Sequence, residues 1–205
     1  MKDYHELAKE LLETAKTFSP DEVRASALQS LAQYMKGKIS ERKPVRLNFI
    51  CTHNSRRSHF GQVMAQVLAS HLNLPDVDTF SGGTEATAFH PNAVAALEEL
   101  GLLIEKLDDT NNPHYRIITD GTITEAFSKV YSHDVNPKNN FAAIMVCSSA
   151  DAGCPIVIGA EKRISLPFED PKISDGTPEQ AKTYRERALQ IGTELAWAFS
   201  RATLQ

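Results

Sequence analysis

The chain contains no run of eighteen apolar residues, which argues against a membrane-spanning helix. Its first residues, Met1 to Glu6, lack the apolar core of a signal peptide, so the cytoplasm is the expected location. Cysteine is scarce. Cys51, Cys147 and Cys154 are an odd set with no C-x-x-C, which argues against a structural disulfide framework and a zinc knuckle. The seven histidines have no ligand spacing, and no metal is expected. With a formal charge of −4 there is no basic excess, so nucleic acid is not an expected partner. Internal repeats and low-complexity tracts are also lacking. What is present is a composition ordinary for a globular protein, 41% hydrophobic and 23% charged, and 205 residues suffice for one α/β domain with an appendage.

Apolar spacing predicts two helices in residues 1–43: Tyr4, Leu7, Leu11 and Ala15 share one face, and Val23, Ala27, Leu28, Leu31 and Met35 another. Ser19-Pro-Asp-Glu22 has the form of a capping box with proline at the first helical position, and Gly37 can end the second helix. The basic segment Lys36 to Lys43 is then a linker. This hairpin carries no catalytic constellation. It is expected to pack on the domain of residues 44–205 or on a second copy of the chain, which makes it a candidate homodimer surface.

Downstream, the short apolar runs Val45 to Ile50, Val77 to Phe80, Phe141 to Val146 and Ile164 to Phe168 are expected strands. Helices are expected over His59 to Leu72, Pro91 to Leu100 and Pro178 to Arg201. Between Ile104 and Asn140 the pattern is irregular, with a hairpin expected at Asp120-Gly121. Strands alternating with helices imply an α/β fold with a doubly wound, mostly parallel four-stranded sheet.

The chemistry concentrates in Cys51-Thr-His-Asn-Ser-Arg-Arg57-Ser58, between the first strand and the following helix. A loop feeding a helix start points backbone N–H groups inward, and the helix dipole adds positive charge. Thr52, His53, Asn54, Ser55, Arg56, Arg57 and Ser58 therefore form a candidate site for a tetrahedral oxyanion. Cys51 is the candidate nucleophile, activated by the same field. Arg57 can hold two anion oxygens through its planar fork, Arg56 adds charge, and the Ser58 hydroxyl can donate to the sulfur.

Cys147 ends the third strand, on the sheet edge where Cys51 also lies. Cys154 follows in Ser-Ala-Asp-Ala-Gly-Cys154, whose small residues suggest a segment mobile enough to bring thiols together. A disulfide relay fits this placement, and so do two ordinary buried cysteines. Asp170-Pro171 follows the fourth strand, where an acid could protonate a leaving oxygen. Glu169 and Asp175 are rivals. Pro171 fixes the local chain direction and favours Asp170.

Together, Cys51-x5-Arg57-Ser58, Ser81-Gly-Gly-Thr-Glu-Ala86, Pro91-Asn-Ala-Val94 and Asp170-Pro171 resemble the low-molecular-weight protein tyrosine phosphatase superfamily. Cys147 and Cys154, then Pro155 and Leu166-Pro-Phe-Glu-Asp-Pro171, resemble its thioredoxin-coupled arsenate reductase branch. The resemblance spans roughly residues 45–200. It implies that Cys51 attacks arsenate while Asp170 protonates the departing oxygen. Cys147 then attacks Cys51, Cys154 resolves the Cys51–Cys147 disulfide, and a thioredoxin-like partner, an external thiol reductant, restores the thiols with no bound cofactor. The sequence departs from relatives at His53, where glycine is usual, at Arg56, where a second cysteine is common, and at Lys172, where phosphatases carry an aromatic residue. Gln62 stands where some reductases use a glutamate for potassium, and no ion is assigned.

A phosphatase acting on phosphotyrosine or a small phosphomonoester is the alternative, with Cys51, Arg57 and Asp170 making and breaking a phosphocysteine. A regulatory module that binds an anion without turnover is a third. His90 is either near the loop mouth or a surface histidine before a helix. The charged run Lys182 to Arg187 is expected to be a solvated helix face.

Overall fold

A computed structural model describes residues 3–119, 122–154 and 156–203. The N-terminal hairpin consists of α1 (Tyr4–Thr17) and α2 (Glu22–Ser40). Asp3 caps α1 by accepting from the Glu6 N–H at 3.0 Å. Asp21, not Ser19, caps α2 through the Arg24 N–H at 2.8 Å, which places Pro20 outside the helix. Nor does Gly37 end α2. The helix runs three residues further, to Ser40, and Arg42 takes the left-handed turn at φ 54°. Most of the expected linker is therefore helical.

The central sheet has order β2-β1-β6-β7, all parallel: β1 (Val45–Cys51), β2 (Val77–Gly83), β6 (Phe141–Met145) and β7 (Ala160–Ser165). Strand β6 is a wholly apolar, buried run, and β1 departs from that pattern at Arg46 and Asn48. The fourth strand starts earlier than expected. Its charged residues Glu161 and Lys162 suit a sheet edge, whereas Leu166 and Phe168 are buried after the strand has ended. Three further strands, β3 (Leu103–Lys106), β4 (Tyr115–Thr119) and β5 (Thr122–Ala126), form a separate antiparallel sheet. The expected hairpin is thus β4–β5, while its turn at Asp120-Gly121 lies outside the described residues. Among the described residues, no helix is long and apolar enough to cross a membrane.

The helices between strands are α3 (Arg57–His71), α4 (Pro91–Glu99) and a short α5 (Ser148–Gly153), and α6 (Gln180–Thr203) follows the last strand. Helix α3 is buried along nearly its whole length, and at Gly61 an added Cβ would lie 2.4 Å from the Phe49 ring, so that ring packs directly on the helix backbone. Helix α6 packs against α1, α2, α3 and α4, while α2 also reaches the sheet edge, where Tyr34 and Lys38 bond Glu161 of β7. In α6, Tyr184, Ala188, Ile191 and Leu195 are completely buried, and Leu7, Leu11, Leu28, Leu31 and Met35 of the hairpin join the same apolar core. Of the expected apolar face of α2, Val23 is the exception at 82% exposed. Arg24, one residue on, turns inward. It pairs with buried Glu194 of α6, donates to the Pro167 carbonyl at 2.7 Å and lies over the Phe168 ring at 4.2 Å.

Candidate active site

The loop after β1 is held from outside by its carbonyls. Cys51 O accepts from Thr84 N–H at 3.0 Å, and Thr52 O from Glu85 N–H at 2.9 Å. His53 O accepts from the hydroxyls of Ser128 at 2.9 Å and Thr87 at 3.2 Å. Ser55 O accepts from His90 N–H, and Arg56 O from Phe60 N–H, both at 2.9 Å. In a trans peptide the N–H points opposite to the C=O, so carbonyls drawn outward turn the amides toward the loop centre. Helix α3 has no side-chain cap, which leaves its first amides available to an anion. Close approach of β2 makes this possible. A Cβ on Gly83 would lie 2.6 Å from Thr52 O and 2.7 Å from Asn54 N.

Asn54 sets the loop's shape. It occupies the left-handed region at φ 45°, which asparagine tolerates better than most residues. Its Oδ1 accepts from Lys129 N–H at 2.8 Å, which fixes the amide orientation, and its Nδ2 donates to Ser58 Oγ at 2.8 Å. Ser58 Oγ also lies 3.1 Å from Cys51 Sγ. Because Asn54 already donates to Ser58, the Ser58 proton is directed at the sulfur. Cys51 is 3% exposed.

The two arginines diverge. Arg57 donates to Asp170 Oδ2 at 2.7 Å and to Phe168 O at 2.9 Å, while its buried Nε has no partner. Arg56 turns away, donating to the Tyr184 hydroxyl at 2.7 Å and to Asp175 Oδ2 at 3.3 Å. Its expected place among the anion's ligands is therefore filled only by its backbone. His53 faces solvent beside Glu85 at 3.1 Å. His90 lies at the cleft mouth with His53, Ser55, Asp170 and Lys172 around a cavity of about 610 Å³. There it caps α4, and burial followed by the nearby Arg56 charge lowers its pKa.

Cys147 ends up beside the loop, its Sγ 3.4 Å from the Thr52 hydroxyl. The same sulfur accepts from Ala150 N–H at 3.3 Å and so caps α5. Cys154 is half-buried at the far end of this helix, and all three thiols are free. The segment expected to be mobile is thus a six-residue helix, tied at Asp151 to Arg163 and Ser165.

Several contributors escaped the sequence reading. Ser128 and Lys129 bring the 104–140 segment against the loop. Lys129 is buried, with its ammonium 3.1 Å from Phe127 O and 4.5 Å from the Phe127 ring centre, and burial lowers its pKa to about 8. His59 is buried and stacked on Phe89 at 3.9 Å, and desolvation holds its pKa well below the usual imidazole value. Tyr184, inside a charge run expected to be solvated, is completely buried. Its spacing with Ala188, Ile191 and Leu195 is the signal that could have found it. Among the described residues, no cluster of histidine, cysteine and carboxylates is arranged to hold a metal.

A cysteine and an arginine framing an anion loop, with an aspartate opposite, at the C-terminal ends of a parallel sheet, define the class of low-molecular-weight phosphatase-like proteins. A phosphatase of this type from T. tengcongensis shares the fold, with a TM-score of 0.51 at 17% identity over 74% of this chain and 95% of that one. One from Vibrio cholerae gives 0.50 at 14% identity over 74% and 92%. No family model matches the chain. An arsenate reductase from Oceanobacillus iheyensis is 30% identical over 135 residues, 66% of this chain and 80% of the relative. One from Staphylococcus aureus is 30% identical over 123 residues, 60% and 76%. The chain belongs to the low-molecular-weight protein tyrosine phosphatase superfamily, in its arsenate reductase branch.

Proposed function

We propose that the chain reduces arsenate to arsenite through a three-thiol relay. The observation that carries this reading is Cys147 touching Thr52, the residue next to Cys51, with a third thiol one short helix further on. Arsenate would sit on the inward amides and the fork of Arg57, whose unpartnered Nε suits an anion oxygen. Cys51 forms the sulfur–arsenic bond, and Asp170 protonates the oxygen that leaves as water. Cys147 attacks the Cys51 sulfur. The sulfur–arsenic bond breaks with its electron pair going to arsenic, and arsenite departs. Cys154 then attacks Cys147 and frees Cys51. A dithiol partner of the thioredoxin type supplies two electrons and two protons to reopen the Cys147–Cys154 disulfide.

The last exchange requires α5 to unwind. Seven positions along a helix span roughly 10 Å at about 1.5 Å each, beyond the roughly 4.4–6.8 Å between Cα atoms of a disulfide. We place this chemistry in residues 44–205, with 1–43 as an appended brace, and the three unpaired thiols suit the reducing cytoplasm. The test is arsenate-dependent NADPH oxidation through thioredoxin and its reductase, in the native chain and in Cys147→Ser. A rate in the first and none in the second is expected; equal rates would refute the relay.

One observation favours a phosphomonoesterase as second reading: Cys51, Arg57 and Asp170 are assembled without help from either downstream cysteine. Phosphate release that persists after replacing Cys147 and Cys154 together would support it.

A further inference from the structure

Arg56 and Arg57 are consecutive, yet each holds a different end of one short segment. Arg57 takes Asp170, and Arg56 takes Asp175. Between these carboxylates the chain forms a 3-10 turn, Pro171–Ser174, in which Lys172 N–H donates to Asp170 Oδ1 at 3.1 Å and Ile173 N–H to Asp170 O at 3.3 Å. The turn thus ties Asp170 to the rest of its segment through local bonds. At the far end both Asp175 oxygens are engaged: Oδ1 accepts from the Tyr184 hydroxyl at 2.6 Å, and Oδ2 from Arg56. Tyr184 in turn accepts from Arg56 Nε and projects from α6, the longest helix of the described chain.

The two ion pairs face different fates during turnover. An oxyanion on the loop competes with Asp170 for the Arg57 fork, and an Asp170 that carries a proton to donate is no longer an ionic partner for Arg57. At the moment it is needed, Asp170 has lost its direct hold. We propose that Arg56, Tyr184 and Asp175 form a latch that keeps the Asp170 segment over the anion loop while Arg57 changes partners. The three are positioning residues acting through Asp170, and the proposal rests on Asp170 being the proton donor. It also gives a role to the arginine that replaces a second loop cysteine. The Arg56 side chain is one corner of a three-way bond that a cysteine could not span.

Tyr184→Phe removes one hydroxyl from the latch while retaining the ring in the core, and Asp175→Asn is the companion variant. Hydrogen exchange of the amides of 170–177 is followed in the full chain, with and without inorganic phosphate. Iodoacetamide labelling of Cys51 reports loop occupancy. In the native chain the segment stays protected whether or not phosphate is bound. In both variants protection matches native without phosphate and falls about tenfold or more with it, since only then does Arg57 release Asp170. Under arsenate turnover, kcat falls about tenfold or more with KM nearly unchanged, approaching the roughly 10²–10⁴-fold that a general acid contributes. A purely structural role would lower protection equally with and without phosphate, and that result overturns the latch. So does phosphate-induced loss of protection in the native chain. Failure of phosphate to shield Cys51 would overturn the oxyanion-loop reading itself, and the latch with it.

Discussion

Cys51 ends β1 and Cys147 lies two residues past the end of the neighbouring parallel strand β6, each leading into a helix, yet the two turns are built differently. The Cys51 turn is held by outward carbonyls, by an asparagine bonded through both ends of its amide, and by a glycine strand pressed against its backbone. The Cys147 turn feeds a six-residue helix capped by the thiol itself, with Ser148, Ser149, Ala152 and Gly153 exposed. In the proposed relay, the Cys51 turn keeps a fixed shape for an anion, and the Cys147 turn lets a helix come apart so that its two ends can meet. A repeated strand–helix topology therefore does not imply repeated rigidity; the difference lies in what each carbonyl and side chain is tied to.

Removing the nucleophile at the rigid turn gives the largest effect. Cys51→Ser is expected to abolish arsenate turnover and phosphate release alike. A residual rate near native would mean that the chemistry is elsewhere, whereas a native chain with no rate at all would favour the anion-binding module. Asn54→Ala comes next. It forfeits two buried hydrogen bonds and places a less tolerant residue at positive φ, so a loss of about 2–4 kcal/mol in stability is expected, together with a fall in turnover of tenfold or more. Calorimetry and steady-state rates check it, and a change below about 0.5 kcal/mol would show that the loop does not depend on this residue.

Lys129 sharpens the comparison through pH. Its folded pKa is about 8, against 10.5 for an ordinary lysine. Below pH 8 both folded and unfolded chains carry the charge, and the burial penalty is fully present. Between about 8 and 10.5 the unfolded chain binds a proton the folded one lacks, so stability rises with pH across that window. Lys129→Met is expected to raise stability at neutral pH and to flatten this slope in denaturant titrations; an unchanged slope would contradict it. The smallest effect belongs to the loose turn. A Cβ at Gly153 meets no atom within 4 Å, so Gly153→Ala should strengthen α5 by about 0.5–1 kcal/mol. The Cys147–Cys154 exchange should then slow by about two- to fivefold, followed by rapid quench after a single arsenate turnover, with Cys51 alkylation unchanged.

These contrasts also explain what could be read from the sequence. The anion loop and the long helices were legible because their signals are local: a spaced motif after an apolar run, and apolar residues at helical period. Helix α5 was not, because six residues rich in serine, alanine and glycine carry no period. Strand β3 was missed for a similar reason, being four residues long with its side chains largely toward solvent. The capping box at Ser19 was displaced by two residues because Asp21 is an equally good cap. The sequence placed Arg56 in the anion loop but could not give the direction of its guanidinium, which depends on a tyrosine 128 positions away.

The inward turn of Arg24 ties the two termini together. With Glu194 buried beneath it and Phe168 against its guanidinium, the first helices and the last share one ionic and apolar seam that borders the Asp170 segment. Cutting the chain at residue 43 would strand a buried carboxylate and bare much of α6, so the extension cannot be trimmed as a tag is. In a denaturant series, spectroscopic loss of the hairpin and loss of turnover should coincide in one cooperative transition, as though the enzyme's first forty residues and its last twenty-five were a single clasp.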